Sequence, residues 1–139
     1  MSAEGKKDFE IKIRLNITDF VCDPDVITKI LELTPDRTWL VGEAVIPEAS
    51  NVHKQNGWSI DSPLSSVANK VDNQIDALKE LLLGKVEKFG ELPEGVYVEI
   101  SCVVYAHTYF PDIFFSNENI SFLNSINACI DIDIFDLIE

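Results

Sequence analysis

The chain has 139 residues, of which 24 are acidic and 11 are basic, so its net charge at neutral pH is −13. This length is typical of one domain that folds without disulfides or a structural metal. No apolar run is long enough for a membrane span, the N-terminus lacks the apolar core of a secretion signal, and the negative charge disfavours nucleic acid and anionic membranes as partners. We therefore expect a cytoplasmic protein without metal or cofactor.

The first third of the chain predicts a strand followed by a short helix. Residues 1–8 are expected to be a disordered lead-in, and strict apolar–polar alternation over 9–17 predicts a strand with one wet face. Asp23 supplies an N-cap and Pro24 a first helical residue, while Pro35 ends the helix. The buried side of this helix is predicted to consist of Val26, Ile27, Ile30 and Leu31.

The middle of the chain predicts two strands and a long amphipathic helix. Strands are expected over 38–45 and 57–60, with Trp39 and Trp58 packing where the strands meet the helices. Apolar residues then recur at steps of three or four over 62–90, which predicts a helix that is capped by its first residue, a serine. A glycine inside this helix, Gly84, predicts a kink or a break.

The last third predicts strand, helix and strand. Alternation over 96–105 and 130–134 indicates two strands, and between them lie an aromatic-rich loop (107–115) and a helix capped by Ser116. The buried residues of that helix are predicted to be Ile120, Leu123 and Ile126. Residues 9–139 thus form one α+β domain in the order β-α-β-β-α-β-α-β, a mainly antiparallel sheet with helices on one face. Its first six elements match a ferredoxin-like core, to which a helix and a strand are added.

Residues that commonly carry catalysis are scarce. The sequence contains no glycine-rich phosphate loop and no zinc-protease, CxxC or GxSxG motif. His53 is expected to be a solvated loop residue and His107 an ordinary residue at a strand end. Cys102 and Cys129 lie in apolar strands, which predicts reduced cysteines in the core. The sequence therefore favours a binding protein over an enzyme.

A family resemblance rests on several short stretches. These are DPDVITKILELTP at 23–35, Gly42, the Gly-Trp-Ser triplet at 57–59, the long amphipathic helix, and ACIDIDIF at 128–135. In this arrangement the chain resembles the bacterial domain of unknown function 4279 family over about residues 9–136. The resemblance implies a compact α+β cytosolic protein in which Gly42, Trp58 and Asp133 are structurally important, and it implies no activity.

The charge distribution suggests a function. No basic residue follows Lys88, whereas the remaining chain carries nine carboxylates. The leading hypothesis is an immunity protein that neutralises a basic, nuclease-type toxin domain, since opposite potentials speed encounter and select the partner. The residues predicted to bind this partner are Asp131, Asp133, Asp112, Glu118, Tyr109 and Phe110. A self-associating regulatory or housekeeping domain, such as a homodimer, is the alternative, and an enzyme that uses paired carboxylates with a divalent ion is a third hypothesis.

Overall fold

One five-stranded sheet organises the chain, in a computed structural model that describes residues 7–45 and 51–139. Its strands are β1 (Phe9–Thr18), β2 (Arg37–Trp39), β3 (Gly57–Asp61), β4 (Tyr97–Ala106) and β5 (Ala128–Asp136). The helices within the described residues are α1 (Pro24–Leu31), α2 (Val71–Leu81), α3 (Asn117–Ser125) and a 3₁₀ helix at Val86–Glu91. The predicted order of strands and helices and the α+β class are confirmed. The predicted lead-in lies mostly outside the described residues.

The sheet has the strand order β2-β3-β1-β4-β5. Strand β1 is antiparallel to β3 and β4, and β2 is antiparallel to β3, which are the order and directions of a ferredoxin-like split β-α-β core. Helix α3 connects β4 to β5, and these two strands are parallel, as a helical crossover allows. The predicted ferredoxin-like core with an added helix and strand is therefore confirmed.

The hydrophobic core lies between one face of the sheet and the helices. It combines alternate residues of the three central strands with α1, α2 and α3, and Trp58 is its largest fully buried side chain. The Trp58 indole Nε1 donates a hydrogen bond to Thr28 Oγ1 at 3.0 Å, which joins β3 to α1. At the start of α1, Asp23 accepts a hydrogen bond from the Asp25 amide at 2.9 Å, so the predicted cap is confirmed. The opposite face of the sheet, on which Lys12, Arg14 and Asp61 lie, is called the open face below.

The long helix predicted over 62–90 is wrong at both ends. Helix α2 covers only Val71–Leu81, and the Ser62 hydroxyl donates to the backbone oxygen of Gln74 at 2.9 Å instead of capping a helix. The segment before α2 returns along β1, where the amide of Ile11 donates to the backbone oxygen of Ser66 at 2.9 Å. After α2, Gly84 has a φ of +79°, which a right-handed helix cannot include. A break in this region is thus confirmed.

Several smaller predictions are also wrong. The strand predicted over 38–45 ends at Trp39, and beyond it lie a turn and an isolated antiparallel bridge between Ala44 and Val52. Three side chains predicted to be buried are exposed, namely Val26, Ile120 and Cys129. In α3, Asn119 and Phe122 occupy the buried side, which rotates Ile120 outward. Cys129 is exposed because its strand forms the edge of the sheet.

Candidate functional site

Strand β5 forms one edge of the sheet and is exposed along nearly its whole length. Its inner side pairs with β4 from Val98–Ala128 to Ala106–Asp136. Its outer side has no strand partner within the described residues. An edge of this kind presents unpaired N–H and C=O groups that can receive another strand. The geometry therefore makes β5 the candidate site for binding an extended protein segment.

The open face of β5 carries two carboxylates. The parallel register places Asp131 beside Ser101 and Asp133 beside Val103. Neither of these β5 carboxylates (Asp131 and Asp133) makes an ion pair with a described residue. The charge of Asp133, together with desolvation and the charge of Glu99, raises the pKa of Asp131 above its ordinary value. This edge therefore holds negative charge that no ion pair with a described residue compensates.

The other face of β5 carries an apolar row. Ile130, Ile132 and Ile134, called the β5 isoleucines, continue the rows of Ile100, Cys102 and Val104 on β4. The three β4 side chains are fully buried, whereas the β5 isoleucines remain 40% to 51% exposed. An apolar row that extends a buried core without cover is characteristic of an interaction surface. The same strand thus offers charge on one face and apolar contact on the other.

The other predicted partner-binding residues lie away from the β5 carboxylates. Tyr109, Phe110 and Asp112 belong to the connection between β4 and α3, and Glu118 lies in the first turn of α3, which packs against α2. The carboxylate of Asp112 lies 3.5 Å from the ammonium of Lys70. Tyr109 and Phe110 are about half exposed. The structure therefore divides the six residues into a pair on the open face of β5 and a separate group beside the helices.

A cluster of opposite charges on the open face was missed in the sequence. Arg14 Nε donates to Asp61 Oδ1 at 2.9 Å, and Arg37 donates to both carboxylate oxygens of Asp61 at 3.2 and 3.0 Å. Burial opposes ionisation of Asp61, but the hydrogen bonds and charges of Arg37 and Arg14 outweigh it and lower its pKa. These are the only two arginines in the chain, which is the signal that could have indicated the cluster.

The two histidines of the chain lie in different surroundings. The ring of His53 stacks on Trp39 with centroids 5.0 Å apart, and His107 Nε2 lies 3.2 Å from Glu10 Oε1. In residues 7–45 and 51–139, no group of three or more His, Cys, Asp or Glu side chains is arranged to hold a metal ion. Over the same residues, no helix is both long and apolar enough to cross a membrane.

Comparison with known proteins gives one finding. A family model with the description "Domain of unknown function (DUF4279)" matches residues 9–137. The match begins at the first residue of β1 and ends just after β5, so it contains every strand of the sheet. No curated protein and no solved structure matches the chain.

Proposed function

The chain belongs to the DUF4279 family, and we propose that it is a non-catalytic, cytoplasmic binding protein that docks a basic protein along β5. In its most specific form, the proposal is an immunity protein that neutralises a cationic, nuclease-type bacterial toxin domain. One observation carries it: β5 combines an unpaired edge, two uncompensated carboxylates and three exposed isoleucines.

The geometry of β5 defines the chemistry of the partner segment. A strand added to this edge would alternate its side chains between the two faces of the sheet. Lysine or arginine side chains would face the β5 carboxylates, and apolar side chains would cover the β5 isoleucines. Opposite charges on neighbouring strands stabilise the pairing, as do apolar cross-strand pairs. The expected partner therefore presents an extended segment in which basic and apolar residues alternate.

The charge of the whole chain supports the same partner. With a net charge of −13, the chain attracts basic proteins over long distances and accelerates their encounter. Enzymes that cut nucleic acids present basic surfaces, because they must bind phosphate backbones. A nuclease-type toxin domain therefore has the positive surface that this acidic chain would occupy in competition with nucleic acid.

A second copy of the chain is a poorer partner for β5. Antiparallel pairing of two β5 strands would place the β5 carboxylates of both copies on one face, within about 5 Å of one another. Like charges at that separation destabilise a strand pair, and neither copy supplies a cation on β5. The carboxylates therefore favour a basic partner over self-association.

The first test uses a synthetic peptide that alternates lysine and valine over the length of β5, with binding followed by fluorescence anisotropy. We expect binding that weakens at high salt and falls by at least about tenfold in the double variant Asp131→Lys, Asp133→Lys. The matched control, Asp25→Lys with Glu80→Lys, changes the net charge equally at exposed positions on α1 and α2. Equal weakening in both double variants would show that only net charge matters and would contradict the proposal.

The immunity function is tested in cells of the source organism. A basic protein captured by the chain should be toxic when expressed alone and harmless when expressed together with the chain. The Asp131→Lys, Asp133→Lys variant should fail to protect, whereas the Asp25→Lys, Glu80→Lys variant should protect fully. A captured partner that is harmless on its own would contradict the immunity function and leave the binding site on β5 intact.

A further inference from the structure

A cavity of about 460 Å³ opens on the open face over β1 and β4, and its β4 wall belongs to the strand that pairs with β5. Its volume falls within the range of about 300–1,000 Å³ that is usual for small-molecule sites. The side chains that line it include Lys12, Arg14, Arg37, Asp61, Ser101 and Tyr105. They come from four strands, so the sheet itself holds them in place.

The cavity is positively charged in a strongly acidic chain. It is lined by three cations and one carboxylate, and both arginines of the chain are among them. Arg14 uses only its Nε in the bond to Asp61, and its two terminal nitrogens donate to no described residue. The ammonium of Lys12 makes no ion pair with a described residue and lies 5.5 Å from the centroid of the Tyr105 ring. Donors that lack a partner therefore point to an anionic ligand.

The remaining walls of the cavity are suited to an organic molecule. Val103 and Leu64 add apolar surface beside the ring of Tyr105, and Ser101 adds a hydroxyl. A mixture of apolar walls and a few placed polar groups is the usual composition of a ligand pocket. An aromatic ring such as Tyr105 can also stack on a flat ligand.

We propose that this cavity binds a small organic anion, a phosphate or carboxylate attached to an apolar body. The terminal nitrogens of Arg14 and the ammonium of Lys12 hold the anionic group, because guanidinium and ammonium groups form strong charge-assisted bonds to such oxygens. Asp61 holds Arg14 and Arg37 in place. The apolar body lies against Tyr105 and Val103. This site is distinct from the β5 edge, because no residue of β5 lines the cavity.

The proposal is tested by isothermal titration calorimetry with phenyl phosphate, benzoate and inorganic phosphate. We expect one site that binds phenyl phosphate at least about tenfold more tightly than inorganic phosphate, because only the former fills the apolar wall. Lys12→Gln and Arg14→Gln should each weaken binding of phenyl phosphate by about tenfold or more. Lys29→Gln, which removes an exposed cation on α1, is the matched control and should leave the affinity unchanged.

Three results would overturn the proposal. One is the absence of saturable binding for all three probes. Another is equal affinity for phenyl phosphate and inorganic phosphate, which would show that no apolar subsite exists. The third is an equal loss in the Lys29→Gln and Lys12→Gln variants, which would show attraction by general charge only. Lys12 is exposed and unpaired among the described residues, so its variant should fold normally and keep this comparison valid.

Discussion

The two outer strands of the sheet, β2 and β5, present their edges in opposite ways. Strand β2 has three residues, its Arg37 is bonded to Asp61, and its Trp39 lies against Gly57 of β3. Strand β5 has nine residues, uncompensated carboxylates and an exposed apolar row. An unpaired edge invites association, and short, well-covered strands reduce that risk. The sheet thus presents a short edge at β2 and a long, exposed edge at β5.

Two aspartates on different strands of the sheet have pKa values that are shifted in opposite directions. Asp61 lies between two arginines, so its pKa is lowered, whereas Asp131 lies beside other carboxylates, so its pKa is raised. Both occupy the same face of the same sheet. The neighbours on adjacent strands, and not the residue or its strand position, decide whether the charge stabilises the fold. A buried carboxylate pair would have carried a larger penalty, so β5 keeps its charges in water.

The largest expected effect is the difference in stability lost when an isoleucine is truncated on β4 and on β5. Ile100 and Ile130 are partners in the parallel register, but Ile100 is fully buried and Ile130 is 42% exposed. Ile100→Ala should lower the free energy of unfolding by about 2–5 kcal/mol, because it leaves a cavity in the core. Ile130→Ala should lower it by less than about 1 kcal/mol. Urea unfolding measures both, and similar losses would contradict an exposed β5.

A smaller effect on stability is expected where β2 packs against β3. A Cβ atom added to Gly57 would lie 1.9 Å from a carbon of the Trp39 ring, so the ring must move. Gly57→Ala should therefore lower the free energy of unfolding by about 1–3 kcal/mol. Gly90→Ala is the matched control, since nothing lies within 4 Å of its added Cβ. Equal urea midpoints for Gly57→Ala and the parent chain would show that the Trp39 ring does not pack against Gly57.

The smallest expected effects concern the pH dependence of stability, and they have opposite signs for Asp61 and Asp131. The folded-state pKa of Asp61 is lowered, so its stabilisation is present above about pH 4 and is lost as pH falls through that lowered value. Asp61→Asn should cost no more than about 1 kcal/mol at neutral pH, because the carboxylate is partly exposed. The folded-state pKa of Asp131 is raised, so its ionisation opposes folding as pH rises above about 4.

Asp131→Asn should therefore leave stability at neutral pH unchanged or slightly higher than in the parent chain. Both differences should shrink in acid, because Asp131 becomes protonated and the stabilisation by Asp61 declines as pH falls below the ordinary aspartate pKa. Urea midpoints measured at about pH 3 and about pH 7 follow both variants. Loss of stability in Asp131→Asn at neutral pH would show that this carboxylate has a partner in the folded chain.

Much of the fold could be predicted because local patterns agreed with tertiary packing. Alternation located β1 and β4, and the Asp23–Pro24 pair located the start of α1. The prediction failed over 62–70, where the spacing of apolar residues fits a helix. In the structure this segment bonds to β1, and such pairing over a long sequence separation overrides a helical period. Periodicity reports which residues share a face, and it does not report which segments become neighbours.

The candidate sites show the same limit. Alternation alone placed Asp131 and Asp133 on one face of a strand, and the structure agrees. The meeting of Arg14, Arg37 and Asp61 depends on the strand order β2-β3-β1, which periodicity does not contain. The exposure of the β5 isoleucines could not be predicted either, because a strand shows the same alternation whether its isoleucines are buried or exposed. A site formed by side chains of several strands can therefore be predicted only when the strand order is known.

The central position of β1 has a consequence for synthesis on the ribosome. This strand is made early, yet Phe9 pairs with Ala106, which is added 97 residues later. At about 5–20 residues per second, roughly 5–20 s pass between the synthesis of Phe9 and that of Ala106. During that interval the apolar residues of β1 are available to chaperones and to other nascent chains. The sheet can therefore be completed only after β4 and β5 have been synthesised, and slow folding that depends on distant contacts is expected.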